Sequence, residues 1–131
     1  MKILIVDDDP GNRVIARRML ERHGGVEAMH IVDSGTACLD TAATGRFDTI
    51  LLDISMPDMD GVTVCRKLRT LPGYDACRIV ASSGFGLFKC KLFADARAPI
   101  DSVGTGSFIP ENMSDTFATA DVFLYDGKPL I

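Results

Sequence analysis

Short apolar runs alternate regularly with helix-like patterns through the first hundred or so residues of this chain. Each apolar run is bounded by turn-forming residues, which is typical of strands that are buried on both faces of a sheet. The segments between the runs repeat their apolar residues at helical spacing. Strands that alternate with helices form mostly parallel sheets with right-handed crossovers. The sequence therefore predicts an α/β fold.

Five strands are predicted, and glycine or proline ends each of the four helical patterns between them. The predicted strands are Lys2–Val6, Ala28–Val32, Phe47–Asp53, Arg78–Ala81 and Ile100–Val103. At 131 residues the chain is long enough for one domain with a hydrophobic core, so we expect a single α/β domain over 1–131. A doubly wound, flavodoxin-like five-stranded parallel sheet is the natural arrangement at this size.

The pattern changes after residue 106. Residues 107–131 contain no convincing amphipathic helix, although such a sheet normally has a last helix beside strand one. Instead, Ala120–Tyr125 reads as a strand and Asp126-Gly127 as a turn, which predicts an irregular tail with a β-hairpin. Either this tail covers the sheet, or Ile3 and Ile5 lose a cover and a second copy of the chain supplies it. The second alternative predicts a homodimer through the C-terminal tail.

Composition excludes several classes of protein. The net charge is −4 and the basic residues are scattered, so no nucleic-acid surface is expected. We find no run of 18 apolar residues and no signal-peptide layout, which favours a soluble cytoplasmic protein without membrane contact. The cysteines lack CxxC pairing and histidines at metal spacing, and they are interpreted as small buried hydrophobes in a reducing compartment. They are Cys38, Cys65, Cys77 and Cys90.

Asp53 ends the third predicted strand, within the segment FDTILLDISMPDMDG at residues 47–61. In open α/β sheets, functional groups lie just beyond the carboxyl ends of the strands. Asp53 therefore occupies a position where a functional carboxylate is expected. A helix-capping or turn aspartate is the alternative, and this segment alone favours neither.

Three motifs in residues 1–76 resemble the receiver domains of response regulators, the CheY-like family of two-component signalling. They are ILIVDDDP at the first strand, LLDISMPDMDG at the third, and LRTLPGYD after the third helix. The resemblance implies that Asp53 accepts a phosphoryl group from a histidine kinase or a small phosphodonor, and that Asp7, Asp8 and Asp53 hold Mg²⁺. Carboxylates are ligands that Mg²⁺ prefers, and three of them in one place repel one another without a cation.

Two further receiver positions give different results. Ser83 matches the serine or threonine that ends the fourth strand in the family. The family also has a lysine at the end of the fifth strand, but that position falls here at Thr105 or Gly106. Lys128-Pro129 resembles the family's Lys-Pro step, yet it comes much later in the chain. The missing lysine predicts weak phosphorylation and little conformational relay, because a charge-assisted contact to the phosphoryl group is lost.

Residues 78–131 resemble a different family, the late barrel portion of nicotinate phosphoribosyltransferases, through IVASSGFG, APIDSVGTGSFIPENMSDTFATADVF and YDGKPLI. The resemblance implies phosphate binding by the loops Ser82-Ser83-Gly84 and Gly104-Thr105-Gly106, and backbone amides in glycine-rich turns can hold an anion. Such a fragment is too incomplete for catalysis, so no enzyme activity is expected.

Together, the two resemblances indicate a hybrid. In this hybrid, a receiver-like segment at 1–76 would be followed by a phosphoribosyltransferase-like βαβ unit at 78–106 and by the tail at 107–131. Such a chain would be an engineered chimera. The alternative is a natural receiver with a divergent second half. Three functional hypotheses follow. The chain is a phosphoacceptor module, a fold chimera without physiological activity, or a vestigial binder of phosphate esters.

Overall fold

A computed structural model describes residues 1–22, 24–85, 87–104, 124–125 and 128–129 of the protein. Its main sheet has five parallel strands in the order β2-β1-β3-β4-β5. The strands are β1 Lys2–Val6, β2 Ala28–Val32, β3 Thr49–Asp53, β4 Arg78–Ser82 and β5 Ser102–Val103. The helices are α1 Pro10–Arg22, α2 Gly35–Thr44, α3 Gly61–Thr70 and α4 Leu87–Asp95. This order confirms the predicted doubly wound, flavodoxin-like fold.

The apolar core on the α2 and α3 side of the sheet is continuous across residues 76–78, where the two resemblances meet. Leu4, Ile50 and Leu52 of the first strands belong to the same buried cluster as Tyr74 and Ile79. Burying such side chains is the main favourable term in folding. The segments on both sides of residue 76 therefore share one core.

Arg69, near the end of α3, binds several segments around this core. Its guanidinium donates to the carbonyl oxygens of Tyr74 (2.7 Å) and Cys77 (2.6 Å) in the α3–β4 connection. It also donates to the carbonyl of Pro99 (3.1 Å) and pairs with the carboxylate of Asp101 (2.8 Å). Its side chain is only 19% exposed, so these contacts are partly shielded from water. One planar, permanently charged group thus holds α3, β4 and β5 together.

β5 is shorter than the predicted strand Ile100–Val103, and it begins at Ser102. The reason is the side chain of Asp101, whose carboxylate accepts a hydrogen bond from the backbone N–H of Ile79 at 2.6 Å. A carboxylate thereby replaces a backbone carbonyl as the acceptor at this end of the β4–β5 ladder.

The alternative in which Ile3 and Ile5 of β1 lose their cover is wrong. Ile3 and Ile5 are 1% and 2% exposed, because β1 is an inner strand and α1 packs against it. Three exposed apolar side chains lie on α1 itself, where Val14, Ile15 and Met19 are each about half exposed.

Helix α4 is anchored by one aromatic contact. Phe93 is buried and packs edge-to-face on Phe85 with ring centroids 5.1 Å apart. Phe88 and Leu92, which share the helical pattern of the sequence, are instead 80% and 51% exposed. Phe93 therefore determines which face of α4 turns toward the sheet.

The tail contains the predicted hairpin in the residues that can be described. β6 Leu124–Tyr125 pairs antiparallel with β7 Lys128–Pro129, as a two-stranded sheet of its own. The rest of the predicted tail, residues 107–123 and 130–131, lies outside the described residues, as do the turn at 126–127 and the loop residues Thr105 and Gly106. Within the described parts of the chain, no helix has the length and apolar character needed to cross a membrane.

Three of the cysteines are buried, as predicted. Burial raises the pKa of Cys38 and Cys65 to about 12 and that of Cys77 to about 11. These thiols are therefore protonated at neutral pH and are unreactive. Cys90 is half-buried.

Asp58, in the loop between β3 and α3, caps the start of α2. Its carboxylate accepts hydrogen bonds from the backbone N–H groups of Gly35 (3.1 Å) and Thr36 (2.9 Å), and from the Thr36 hydroxyl (3.0 Å). The hydrogen bonds from Thr36 and Gly35 lower the pKa of Asp58 below its usual value. Two of the amides that a helix leaves unpaired at its start are satisfied in this way.

We expect Asp58→Asn to make stability less dependent on pH. A lowered folded-state pKa contributes stability above the unfolded-state value, and that contribution is lost as the pH falls through the folded-state value. At pH 7 the variant should lose about 1 kcal/mol of unfolding free energy, the usual cost of a weakened cap. Urea unfolding at pH 7 and in acid measures this. Asp40→Asn, an exposed carboxylate on α2, is the control; an equal loss at both pH values would contradict the assignment.

Candidate functional site

The strand register brings two of the predicted aspartates to one edge of the sheet. β1 and β3 are parallel neighbours, and Val6 pairs with Leu52. Asp53 is the last residue of β3, and Asp7 directly follows β1. Because parallel neighbours end on the same side of the sheet, the two carboxylates lie at the same edge. Asp53 is only 5% exposed.

Asp8 completes the group. Carboxylate oxygens of Asp7, Asp8 and Asp53 all lie within 4.8 Å of one another. Burial raises the pKa of Asp7, the N–H of Asp9 opposes this with a hydrogen bond, and the charges of Asp53 and Asp8 raise it further. Three hard oxygen donors that repel one another suit a divalent cation such as Mg²⁺. The structure thus brings together the three aspartates that the receiver resemblance implied as metal ligands.

The backbone around the first two carboxylates is held by local hydrogen bonds. Asp7 accepts from the N–H of Asp9 at 2.9 Å, and Asp9 caps α1 by accepting from the N–H groups of Gly11 and Asn12. The guanidinium of Arg13 donates to the carbonyls of Asp7 (2.7 Å) and Asp8 (3.0 Å). These contacts fix the segment that carries both ligands before any ion binds.

Asp53 is held from its own loop. The N–H of Ser55 donates to Asp53 Oδ1 at 2.8 Å. Further along the loop, Gly61 lies so close to Ile54 that an added Cβ would stand 2.6 Å from the Ile54 side chain and 2.9 Å from its Cα. Only glycine allows this approach, so the start of α3 fixes the residue that follows Asp53. Asp60 caps α3 through the N–H of Thr63 at 2.9 Å.

Ser82 and Ser83 lie beside Asp53 on the next strand. Ser82 pairs with Asp53 across β3 and β4, and its hydroxyl donates to the carbonyl of Leu52 at 3.4 Å. Ser83 follows the strand and has a φ of 90°, a strained value for a residue with a side chain. Strained residues of this kind concentrate at functional sites. Ser83 therefore remains the candidate serine at the end of β4.

The glycine loops meet at the same edge. Gly104 follows β5, and the Cβ of Ser82 lies 3.8 Å from the position of a Cβ added at Gly104. However, the N–H of Gly104 donates to the carbonyl of Ala81 at 2.8 Å, so this amide extends the ladder rather than binding an anion. Phosphate binding by Gly84 and the other loop residues stays a prediction, and it would rest on other amides.

Lys89 is a basic residue near the site that the sequence did not indicate. The ammonium of Lys89, on α4, lies 3.0 Å from the carbonyl of Ser83 and 3.4 Å from the hydroxyl of Ser55. Its two neighbours come from two other segments, the loops after β3 and β4, so only the tertiary structure reveals it.

Comparison with known proteins identifies a family. A model of the response regulator receiver domain matches residues 3–92. The chain is 36% identical over 81 residues to the signal transduction histidine-protein kinase BarA of Escherichia coli K12, covering 62% of this chain and 9% of BarA. It is 45% identical over 71 residues to the response regulator MprA of Mycobacterium avium, covering 53% of this chain and 30% of MprA. The match thus spans less than a third of each relative.

Solved structures give the same result. The chemotaxis response regulator CheY4 of Vibrio cholerae superposes with a TM-score of 0.71 at 25% identity, covering 84% of this chain and 89% of CheY4. The receiver domain of the histidine kinase CKI1 from Arabidopsis thaliana, solved in complex with Mg²⁺, gives a TM-score of 0.67 at 27% identity and covers 78% of this chain and 80% of that domain.

The family match extends past the predicted boundary at residue 76. It includes residues 78–92, for which the sequence analysis stated a resemblance to phosphoribosyltransferases. That resemblance and the hybrid origin stay predictions. The match, the strand order and the acidic cluster agree, and the chain belongs to the response regulator receiver domain family.

Proposed function

We propose that this chain is a phosphoacceptor module of two-component signalling, in which Asp53 takes the phosphoryl group and Asp7, Asp8 and Asp53 hold Mg²⁺. The observation that carries the proposal is the cluster of three carboxylates within 4.8 Å at the carboxyl edge of a receiver sheet. Family membership and the Mg²⁺ complex of the CKI1 receiver domain support it.

The reaction needs little from the protein beyond position and charge. A carboxylate oxygen of Asp53 forms a bond to phosphorus as the bond from phosphorus to the donor breaks, and acetate or a histidine side chain leaves. The N–H of Ser55 orients the acceptor through Oδ1. Ser83 directly follows Ser82, which pairs with Asp53, and its hydroxyl would donate to a phosphoryl oxygen. Bound Mg²⁺ supplies neutralisation of the phosphoryl charge.

The donor would be a histidine kinase or a small acyl phosphate. Both relatives carry names from two-component signalling, one a histidine kinase and one a response regulator. Since the sequence has no lysine at 104–106, we expect the phosphoryl group to be held weakly unless another cation takes that position.

Incubation with acetyl phosphate tests the proposal. We expect intact mass to show one phosphoryl adduct when Mg²⁺ is present and none when EDTA removes it. Mg²⁺ alone should also stabilise the fold, by about 2.7 kcal/mol at a hundredfold excess over its dissociation constant. A folded protein that neither responds to Mg²⁺ nor gains an adduct would contradict the proposal and favour a scaffold without physiological activity.

The homodimer through the C-terminal tail stays a separate proposal, although Ile3 and Ile5, whose loss of cover predicted it, are buried. Light scattering over a dilution series tests it, and a monomer at every concentration would reject it.

A further inference from the structure

We infer that Lys89 of α4 replaces the lysine that the family has at the end of the fifth strand, and that it binds the phosphoryl group on Asp53. The inference rests on the proposed function and names a further residue of that site. The sequence supplies Gly104, Thr105 and Gly106 after β5, so no lysine can come from this position. A second cation beside the Mg²⁺, to bind an acyl phosphate on Asp53, would therefore have to come from elsewhere in the chain.

Lys89 is already bound at this edge of the sheet. Its ammonium contacts the hydroxyl of Ser55 (3.4 Å), and the N–H of that same residue donates to Asp53 Oδ1 (2.8 Å). Its second contact is the carbonyl of Ser83, at 3.0 Å, which follows the strand that pairs with β3. The ammonium therefore bridges the two loops that flank Asp53.

The fold of α4 holds Lys89 on this side. Residues four apart lie on one helix face, and Phe93, four residues after Lys89, is buried against Phe85. Lys91, two residues after Lys89, lies on another face and pairs with Asp95 at 3.2 Å. Anchoring of Phe93 thus directs Lys89, and not Lys91, toward the sheet edge.

The contacts of Lys89 leave it able to bind an anion. Its partners, the hydroxyl of Ser55 and the carbonyl of Ser83, are both neutral oxygens, and an ammonium has three N–H donors. Among the described residues, no ion pair includes Lys89. A phosphoryl oxygen would supply the charged acceptor that this ammonium lacks in the described structure, in a charge-assisted hydrogen bond.

Beryllofluoride, a mimic of the phosphoryl group, provides the probe. We would measure its dissociation constant at saturating Mg²⁺ for the wild type and for Lys89→Met, Lys89→Arg, Lys91→Met and Lys128→Met. We expect Lys89→Met to weaken binding about tenfold or more, the usual loss for a hydrogen bond to a charged group. Lys89→Arg should lose less because it keeps the charge, and Lys91→Met should match the wild type.

Mg²⁺ affinity separates phosphoryl binding from damage to the site. Lys89→Met should bind Mg²⁺ as tightly as the wild type, since it removes a positive charge and no ligand. Unchanged beryllofluoride binding in Lys89→Met, or a loss found instead in Lys128→Met, would overturn the inference while the proposed function stands. A wild type that binds no beryllofluoride and gains no adduct from acetyl phosphate would overturn both.

Discussion

Asp53→Asn is expected to gain no adduct from acetyl phosphate under conditions in which the wild type is phosphorylated. An amide cannot form the acyl phosphate, and it also removes one of the three charges that attract Mg²⁺. Mg²⁺ affinity should therefore fall at least tenfold, equivalent to about 1.4 kcal/mol. Intact mass and titration calorimetry with Mg²⁺ measure the two effects.

Loss of activity in Asp53→Asn should not come from unfolding. Asp53 is buried beside two other carboxylates, so the neutral amide relieves repulsion, and the metal-free variant should unfold at the same or a higher urea concentration. Asp33→Asn is the matched control, because Asp33 follows β2 at the same edge but is exposed and outside the cluster. An adduct on Asp53→Asn would show that another residue accepts the phosphoryl group, and an equal loss in Asp33→Asn would show that the loss is not specific to Asp53.

Arg69→Ala is expected to lower the free energy of unfolding by about 2–3 kcal/mol, because several hydrogen bonds of a largely shielded guanidinium are lost together. The substitution leaves the carboxylate of Asp101 without its cation and removes the donor to the carbonyls of Tyr74, Cys77 and Pro99. Polar groups that lose a partner while shielded from water account for most of this cost. Urea unfolding in Mg²⁺-free buffer gives the value.

Lys67→Ala on the same helix controls for helix propensity and charge. Lys67 is exposed, and a surface substitution of this kind should stay within about 0.5 kcal/mol of the wild type. A loss in Arg69→Ala no larger than that of Lys67→Ala would mean that the contacts around Arg69 contribute little. A loss confined to β5 in hydrogen exchange would likewise contradict its role in joining α3 with β4.

The features that the sequence predicted well are those that depend on residues close together in the chain. Apolar runs bounded by turns predicted β1 to β4 closely, because short buried strands need little information beyond their own residues. Asp7 and Asp53 could be placed together for a related reason: each follows a predicted parallel strand, and such strands end at a common edge.

The features that sequence missed depend on contacts between distant segments. Nothing in the pattern of α4 indicates that Phe93 turns inward while Phe88 turns outward, and the position of Lys89 follows from that choice. The early end of β5 depends on the carboxylate of Asp101 taking the N–H of Ile79. These are tertiary interactions, which override local propensity.

The position of the phosphoryl group on the chain is the decisive measurement for the proposed role of Asp53. After incubation with acetyl phosphate and Mg²⁺, the acyl phosphate would be trapped by reduction with borohydride, and the modified residue would be located by peptide mapping. We expect modification at Asp53 alone, with none when Mg²⁺ is withheld. Modification at any other carboxylate, or none in a protein that is folded and binds Mg²⁺, would contradict it.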